Sequence, residues 1–564
     1  MYSSKKIVQS LGEILKAKSI FNIIISPGSR NAPIIIHFTQ HKDFKTYSIV
    51  DERCAGFFAL GIAQQIRKPV VMSCTSGSSV VNYYPAITEA FYQNIPLILV
   101  TADRPKESIN IFEGQSIHQE NIFQKHVETS IQLTEDESEL GIWYNDRLIN
   151  ESINKCISKR KPIHINIPFS EPLYNTTNHL QVKPKIIKTI PVQNYIETYN
   201  YKKEQHIWRI HEKKMILLGL YYPEKNMEKI LRKLSLDPSI VIFTETTSHV
   251  YGKFFFSNID QLIFNMNSKK WISLKPNILL TIGINIISKR IKFFLRKYPP
   301  KYHWHIGKHY ENYPDTYYKL TTYWPINPEL FFKIFIFDNS NNISISNYRK
   351  KWEKLRKEKV KKHKFFLKTE KSFSDLKVLF YVFKAIPNYT ILQLGNSMIV
   401  RYYQLFYEKK YSIKSYCNRG TSGIDGCVST AVGSAIATTK KKTVTLIVGD
   451  ISFFYDSNAL WNNYIPESFR IILINNGGGN IFRFISEKKF SKKIFNFFET
   501  KHFFSAKKIC EMYHWKYEKV SDQNTLKKSL SCFWKKSNHP CLLEINTQKS
   551  DNDKILKKYF SHLS

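Results

Sequence analysis

Two short polar motifs, each at the end of an apolar run, carry the strongest chemical signal in this chain. Gly449-Asp450 ends the run VTLIV, and Asn475-Asn476 ends the run FRIILI about one β-α-β crossover later. The carboxyl ends of parallel strands meet at one edge of an open α/β sheet, where such folds bind ligands. A carboxylate and an amide together suit Mg²⁺, which takes few protein ligands and adds phosphate oxygens. The alternative is a pair of ordinary strand-end turns.

The pattern of Gly449-Asp450 and Asn475-Asn476 resembles the diphosphate-binding motif of thiamine-diphosphate (ThDP) enzymes. A second motif, in the N-terminal half, agrees with this resemblance. In TYSIVDERCAGFFALG a short strand gives way to a helix, and Glu52 stands at the junction. Such enzymes need one carboxyl beside the pyrimidine ring of the cofactor, which shares a proton with a ring nitrogen. Glu52 is a candidate for this acid, which must lie in an apolar pocket, since desolvation keeps a proton available. A lone glutamate at a helix start is more often a solvated partner of the helix dipole.

Length and composition set broad bounds on the class of protein. A chain of 564 residues predicts three or four domains with ample core, and a hydrophobic fraction of 43% is ordinary for a globular protein. No apolar run approaches the roughly 18 to 20 residues of a membrane span, and the N-terminus has no signal-peptide pattern. The eight cysteines form no CxxC pair, which argues against a zinc site or a disulfide framework. We therefore expect a cytoplasmic protein without a membrane span.

The formal net charge of +38 raises the alternative of a non-catalytic, basic binding protein. The lysines are spread along the chain, however, and Ile, Asn, Tyr and Phe are abundant with them, which indicates a compositional bias of the whole sequence. No nucleic-acid-binding motif accompanies the charge. We expect no nucleic-acid partner and interpret the lysine clusters as solvated faces.

Apolar runs that end in turn residues divide the chain into three blocks. Residues 1–180 carry the predicted strands FNIII, TYSIV, PVVMSC, IPLILVTAD and PIHINIP, with helical stretches between them. Residues 206–345 carry KMILLGL, SIVIFTE, NILLTIG and YHWHIG, and residues 371–564 carry YTILQLG, VTLIVGD, FRIILINN and PCLLEIN. The pattern predicts an α/β protein with three domains, each built on a central, mostly parallel sheet flanked by helices.

Four arginines stand at or near predicted strand ends. In SPGSRNAP a strand breaks at a Pro-Gly pair, so that Ser29 and Arg30 begin a helix, where free N–H groups favour a carboxylate. Arg104 lies at another strand end, in VTADRP; Arg401 follows GNSMIV, and Arg419 lies in SYCNRGTSGIDG. One arginine in such a place is usually a surface ion pair. Four of them indicate substrates with several carboxylates, which the guanidinium fork binds in a bidentate way.

These motifs together resemble one enzyme family within the ThDP class. PGSRNAP, DERCAGFFALG, TSGSSVVNYYPAITEA, TADRP, GQSIHQ, IPFSEPLY, GNSMIVR, NRGTSGIDG, GDISFFYDSNAL and NNGGGNIF occur in order. The set is similar to that of the 2-succinyl-5-enolpyruvyl-6-hydroxy-3-cyclohexene-1-carboxylate synthases of menaquinone biosynthesis. The motifs cover most of the first and third blocks, and the middle block matches weakly.

The resemblance implies a reaction, cofactors and an assembly. The family decarboxylates 2-oxoglutarate on ThDP and adds the succinyl-semialdehyde unit to isochorismate in a conjugate addition. It implies ThDP with Mg²⁺, or Mn²⁺ as an alternative, and a homodimer or a dimer of dimers. The alternative interpretation within the ThDP class is a carboligase of the acetolactate-synthase type. Such an enzyme would keep Glu52, Asp450 and Asn476 but lack the arginine set.

The resemblance also implies roles for individual residues, with Glu52, Arg30, Arg401 and Arg419 as the catalytic groups. The residues implied for cofactor binding are Glu52, Ser397, Ile424, Gly449, Asp450, Ile451, Ser452, Asn476 and Gly478. Among them Asp450, Asn476 and the carbonyl of Gly478 would be the metal ligands. The residues implied for substrate binding are Ser29, Arg30, Arg104, Gln115, Lys289, Arg290, Arg401, Arg419, Ile481, Phe482 and Ile485.

Two departures from the family pattern concern the loops of the diphosphate motif. Ile451 stands where many ThDP enzymes have glycine, and Gly477 stands where some members of the family carry a third asparagine. Neither change removes a ligand, but both leave the loop conformation open.

Overall fold

The computed structural model describes residues 1–189, 201–223, 226–308, 312–335, 345–406, 413–438, 442–485, 491–548 and 550–564. Within these ranges the chain forms three parallel sheets and a short antiparallel pair, β1 (Tyr2–Ser3) with β8 (Thr176–Thr177). The predicted α/β class is confirmed. Each parallel sheet lies inside one of the predicted ranges 1–180, 206–345 and 371–564, whose boundaries stay a prediction.

The first sheet has six parallel strands in the order β3-β2-β4-β5-β7-β6. Its central strands are continuous apolar runs because helices cover both faces of a parallel sheet. The strands are β2 (Asn22–Ile25), β3 (Lys45–Ser48), β4 (Val70–Cys74), β5 (Leu97–Asp103), β6 (Ser130–Gln132) and β7 (Ile163–Pro168). The helices are α1 (Lys6–Ala17), α2 (Ala32–Gln40), α3 (Glu52–Ile66), α4 (Ser78–Asn82), α5 (Tyr84–Gln93) and α6 (Glu139–Lys159).

The middle sheet has five parallel strands in the order β10-β9-β11-β12-β13. They are β9 (Lys214–Leu218), β10 (Ile240–Thr244), β11 (Ile278–Ile282), β12 (Tyr302–Ile306) and β13 (Leu320–Trp324). Its helices are α7 (Lys202–Ile210), α8 (Met227–Leu234), α9 (Ile259–Leu262), α10 (Ser268–Leu274), α11 (Lys289–Lys297) and α12 (Pro328–Phe335). The long helix α13 (Tyr348–Thr369) leads to the third sheet.

The third sheet has six parallel strands in the order β15-β14-β16-β17-β19-β18. They are β14 (Ile391–Leu394), β15 (Lys414–Tyr416), β16 (Val444–Gly449), β17 (Arg470–Asn475), β18 (Lys516–Val520) and β19 (Cys541–Asn546). Its helices are α14 (Asp375–Ala385), α15 (Met398–Phe406), α16 (Cys427–Ala437), α17 (Asp450–Tyr455), α18 (Ile481–Ile485), α19 (Lys492–Glu499), α20 (Lys507–Met512), α21 (Gln523–Cys532) and α22 (Asn552–Leu563).

Besides the short pair of β1 and β8, the sequence pattern missed four described strands of the parallel sheets, β6, β13, β15 and β18, and each lies at an edge of its sheet. Edge strands are short or partly solvated, so polar residues interrupt the apolar run by which a buried strand is recognised. In β18, for example, KYEKV carries three charged residues.

Helix α3 of the first domain crosses α16 of the third at very short range. A methyl group added at Gly61 would lie 2.1 Å from the carbonyl oxygen of Thr430, and one added at Gly433 would lie 2.0 Å from that of Phe58. One apolar core runs through this crossing and contains residues of both domains. In the part of the chain that the structure describes, no helix has the length and apolar character to cross a membrane.

Candidate functional site

Asp450 is the first residue of α17, directly after β16, and its side chain is buried, with 3% of the residue exposed. Its Oδ2 accepts hydrogen bonds from the backbone N–H groups of Gly477 at 2.8 Å and Gly478 at 3.0 Å. Its Oδ1 accepts from the N–H of Ile451 at 2.8 Å, and His502 Nε2 lies 3.3 Å from Oδ2. The loop after β17 is therefore folded onto the carboxylate that ends β16.

Asn476 supplies the second polar group of this edge. Its Nδ2 donates a hydrogen bond to Asp375 Oδ2 at 2.8 Å. Its Oδ1 is buried and has no hydrogen-bond partner among the described residues. A buried acceptor left without a partner costs about 1 to 3 kcal/mol, which a bound cation would offset. The oxygen set of Asp450, Asn476 and the Gly478 carbonyl fits Mg²⁺.

The described residues hold no cluster of three His, Cys, Asp or Glu side chains suited to a metal. A cation at this edge would therefore rest on the mixed set of one carboxylate, one amide and one carbonyl. This donor set favours a hard cation over zinc, which binds nitrogen and sulfur ligands more often.

The loop that joins these ligands depends on glycine. Gly477 has a φ of +77° and Gly478 a φ of +141°, both in the region that side chains disfavour. A methyl group at Gly478 would also lie 2.5 Å from the carbonyl oxygen of Glu499. A φ of +77° suits glycine best and is one that asparagine tolerates, so both residues that the family carries at position 477 fit. Ile451 is accommodated because it lies inside α17.

The other residues implied for the diphosphate end lie on neighbouring loops of the same edge. Ser397 follows β14 with a φ of +66°, and Ser452 Oγ donates a hydrogen bond to the carbonyl of Ile424 at 2.7 Å. An added methyl group at Gly449 would meet no atom within 4 Å, so the end of β16 opens onto free space. The loops after β14, β15, β16 and β17 thus meet at one edge of the third sheet.

Glu52 lies at the carboxyl end of the first sheet. It is the first residue of α3, is half-buried, and accepts a hydrogen bond from Asn82 Nδ2 at 3.2 Å. It borders an open depression lined by both apolar and charged residues, in which Val50 is 42% and Trp461 53% exposed. Among the described residues, this lining includes none of the Asp450 and Asn476 loops. The enclosed apolar pocket that we expected around Glu52 is not formed within one chain.

Two of the predicted substrate arginines flank a buried acid at the same edge of the first sheet. Arg30 Nη1 donates to the carbonyl of Phe169 at 2.8 Å, and Arg104 Nε donates to the carbonyl of Gly114 at 2.8 Å. Burial raises the pKa of Asp103, and the guanidinium groups of Arg104 and Arg30 oppose that rise. The ion-pair partners of the two arginines differ, since Arg30 Nη1 lies 3.3 Å from Glu171 Oε1 and Arg104 Nη1 lies 3.5 Å from Glu113 Oε2.

Ser29 and Gln115, also implied for substrate binding, lie on the surface of this edge. Both are exposed, and Gln115 has a φ of +56°. Its carbonyl accepts a hydrogen bond from Ser76 Oγ at 2.8 Å, which ties its loop to the residues after β4.

A second arginine group lies between the middle and third domains. Burial lowers the pKa of Arg401, with the charge of Arg419 adding to that effect, and burial also lowers the pKa of Arg290. Burial raises the pKa of Asp260, and it raises that of Glu245 to about 7. Three guanidinium groups thus face the buried Glu245 and the partly buried Asp260, which leaves positive charge for an anionic ligand.

The remaining implied residues lie around this group and the metal loop. Lys289 is exposed at the first residue of α11, and Ile481 is half-buried at the first residue of α18. The ring of Phe482 packs against that of Phe498 at 5.1 Å between centroids. The side chain of Ile485 lies outside the described part of the chain.

Sequence patterns did not identify several polar residues of these sites. Asp375, His502, Glu245 and Asp260 each contact or face an implied site residue, yet none belongs to a recognised motif. Each is a single acid or histidine outside those motifs, and only the folded chain brings it to its partner.

Two family models match the ends of this chain. The model described as the thiamine pyrophosphate enzyme N-terminal TPP binding domain matches residues 5–129. The model described as the thiamine pyrophosphate enzyme C-terminal TPP binding domain matches residues 395–545. These ranges contain Glu52 and the Asp450–Asn476 motif, respectively.

Curated relatives match over the whole length. A 2-succinyl-5-enolpyruvyl-6-hydroxy-3-cyclohexene-1-carboxylate synthase from Flavobacterium johnsoniae is 45% identical, with 100% of both chains covered. The protein of the same name from Flavobacterium psychrophilum is also 45% identical over 100% of both chains. That from Christiangramia forsetii is 42% identical over 100% of this chain and 99% of its own.

Proposed function

The chain belongs to the family of 2-succinyl-5-enolpyruvyl-6-hydroxy-3-cyclohexene-1-carboxylate synthases, and on that premise we propose how its residues divide the reaction. It is a ThDP-dependent transferase of menaquinone biosynthesis. We propose 2-oxoglutarate and isochorismate as its substrates, and Mg²⁺, or Mn²⁺ in its place, as its cation. A homodimer or a dimer of dimers would be the working form, in the cytoplasm.

The edge of the third sheet would hold the diphosphate and its cation. Bound ThDP supplies the electron sink that decarboxylation of a 2-oxo acid requires. Asp450, Asn476 and the Gly478 carbonyl would bind the cation, and the buried, unpartnered Oδ1 of Asn476 is the observation that supports this assignment most directly. Ser397 and the 449–452 turn would bind the diphosphate, and Ile424 would support the bent cofactor.

Glu52 would hold the proton that activates the cofactor. Its carboxyl would share that proton with a pyrimidine nitrogen, a role that needs an environment poor in water. Within one chain Glu52 is half-buried, and the exposed Val50 and Trp461 beside it leave apolar surface uncovered. We therefore propose that the third domain of a second copy covers this depression and completes the site.

The two arginine groups would bind the carboxylates of the substrates. Arg30 and Arg104 lie at the edge of the first sheet, and Arg290, Arg401 and Arg419 lie between the middle and third domains. Each substrate carries two carboxylates, and a guanidinium group binds a carboxylate through two parallel hydrogen bonds. The cations would also offset negative charge that develops during the conjugate addition.

The remaining implied residues would complete the substrate pocket. Ser29, Gln115 and Lys289 would add polar contacts at its rim. Ile481, Phe482 and Ile485 would line its apolar side. The exposed position of the three polar residues in one chain suits groups that meet a substrate or a second copy.

A turnover assay tests the proposed reaction. We expect product only when ThDP, a divalent cation, 2-oxoglutarate and isochorismate are all present. A carboligase of the acetolactate-synthase type would instead consume pyruvate and have no need of isochorismate. Turnover of pyruvate alone, with no use of 2-oxoglutarate, would overturn the substrate assignment.

A further inference from the structure

Beside the proposed cation site lies a buried carboxylate to which the mechanism above gives no role. We propose that Asp375 is a positioning residue, which fixes the side-chain amide of Asn476 so that its oxygen faces the cation. The proposal rests on the cation site proposed above. It assigns to Asp375 no contact with substrate or cofactor.

The position of Asp375 is set by three elements of the third domain. It is the first residue of α14 and is 3% exposed. Its Oδ1 accepts a hydrogen bond from Thr547 Oγ1 at 2.5 Å, after β19, and its backbone N–H donates to Asn552 Oδ1 at 2.7 Å, at the start of α22. The carboxylate is therefore held in place, with Oδ2 free to receive Asn476.

The chemistry of the two side chains decides which way the amide of Asn476 points. The oxygen and the NH₂ of an amide have nearly the same size, so packing alone selects neither orientation. An ionised carboxylate only accepts hydrogen bonds, so it must be met by the NH₂. The amide oxygen then points away from Asp375 and remains buried without a partner among the described residues.

The opposite orientation of the Asn476 amide would weaken the binding of a cation. It would place the oxygen of the amide against the oxygens of Asp375 and turn the NH₂ toward the metal. Asp375 and Asn476 are 101 positions apart in the chain, and their contact forms only when α14 packs beside the end of β17. Outer-shell hydrogen bonds of this kind orient metal ligands and typically change metal affinity by about 10- to 100-fold.

The first test replaces the exclusive acceptor by a group of the same shape. Asp375→Asn can either donate or accept, so it no longer selects the orientation of Asn476. We expect the affinity for Mn²⁺, measured by electron paramagnetic resonance with ThDP present, to fall by about 10- to 100-fold. Thr547→Val is the matched control, because it removes the other hydrogen bond of the same carboxylate and leaves the contact with Asn476. It should lower thermal stability and keep cation affinity.

The second test exchanges the two groups. Asn476→Asp alone would set two carboxylates against each other and should weaken cation binding. Adding Asp375→Asn should restore it, because the amide introduced at position 375 donates to the carboxylate introduced at position 476. A purely structural role for Asp375 predicts instead that the double variant binds the cation no better than the worse single variant. This exchange decides the question even if Asp375→Asn alone does not fold.

A third variant separates failure of this proposal from failure of the cation site. If Asn476→Ala leaves Mn²⁺ affinity unchanged, the cation site itself is wrong, and the positioning role falls with it. If Asn476→Ala abolishes binding while Asp375→Asn changes nothing, the cation site stands and the positioning role is overturned. We expect both variants to weaken binding and Asp375→Asn to add nothing once Asn476 is alanine, since its effect passes through that residue.

Discussion

The first and third domains share one strand order and differ in how they present their acids. Numbered along each domain, both six-stranded sheets run 2-1-3-4-6-5. In the third domain, Asp450 is buried and accepts three backbone hydrogen bonds. In the first domain, Glu52 is half-buried and receives a hydrogen bond from the side chain of Asn82. The same topology thus gives one proposed half-site whose acid is buried in a single chain and another whose acid is partly exposed.

The largest effect on turnover should come from a change at Glu52, in the first domain. Glu52→Gln removes the proton that the cofactor ring requires, and we expect turnover to fall by about 10²- to 10⁴-fold. Exchange of the thiazolium C2 proton for deuterium should slow in parallel while thermal stability is kept. Glu467→Gln, at an exposed glutamate, is the control. Normal C2 exchange in Glu52→Gln would rule out the assigned role.

A change at the acid of the third domain should lower the affinity for ThDP, and turnover should fall as a consequence. Asp450→Ala removes the only charged ligand of the proposed set, and we expect ThDP affinity in the presence of Mg²⁺ to fall by at least about 10- to 100-fold. Calorimetric titration with and without Mg²⁺ measures the effect. Glu52→Gln should keep its affinity for ThDP under the same conditions, so that the two variants separate the loss of chemistry from the loss of binding. Equal cofactor affinity in Asp450→Ala and the unchanged protein would contradict the assignment.

A mixture of the two inactive variants tests whether the site of Glu52 is completed by another chain. In a hybrid dimer of Glu52→Gln and Asp450→Ala, one site would carry both changes and the other site neither. We therefore expect activity to return after subunit exchange, which mass spectrometry of differently tagged chains can verify. No recovery in verified hybrids would place both groups in a site made by one chain.

The arginine groups should produce a smaller loss that leaves cofactor binding intact. Arg104→Ala and Arg419→Ala each remove charge-assisted hydrogen bonds worth about 1.5 to 3 kcal/mol, which corresponds to roughly ten- to more than a hundredfold in kcat/KM. Arg→Lys at either position should recover part of the loss, because an ammonium group cannot reproduce the guanidinium fork. Unchanged kcat/KM for both substrates in both alanine variants would make these arginines structural.

We expect replacement of Glu245, an acid that is buried within a single chain, to have the smallest effect on turnover. Its effect on the pH dependence of stability should be clear. Burial raises its pKa from 4.5 to about 7 in the folded protein. Between these values the unfolded chain loses a proton that the folded chain keeps, so stability falls as pH rises. The loss is about 3 kcal/mol at pH 7 and above. Urea unfolding from pH 4.5 to 7.5 should show this slope, and Glu245→Gln should lack it. An identical slope in the variant would contradict the assignment.

The sequence predicted well those features that depend on local pattern. Apolar runs identified the central strands of all three sheets, and the meeting of parallel strand ends brought Asp450 to the loop of Asn476 as expected. The pattern failed at the polar edge strands and at contacts between distant segments. The contact of Asp375 with Asn476 and the burial of Glu245 depend on helices packing beside sheets, which no local periodicity encodes.

The enclosure predicted for Glu52 is not formed within one chain, and the physical reason is of a different kind. The apolar residues near it predicted a dry environment, but Val50 and Trp461 remain exposed in one chain. A sequence pattern reports that a surface should be covered without reporting which chain covers it. For that reason the proposed second copy follows from the folded surface together with the family, and not from the pattern alone.

The close crossing of α3 and α16 has a mechanical consequence. At Gly61 and Gly433 the backbone of each helix lies against the backbone of the other, and neither glycine has a side chain that could shift to allow movement. A rotation of one domain on the other would press carbonyl oxygens into the opposing helix, so this joint cannot serve as a hinge. We therefore expect the first and third domains of one chain to move together, and the movements that admit substrate and release product to lie elsewhere in the molecule.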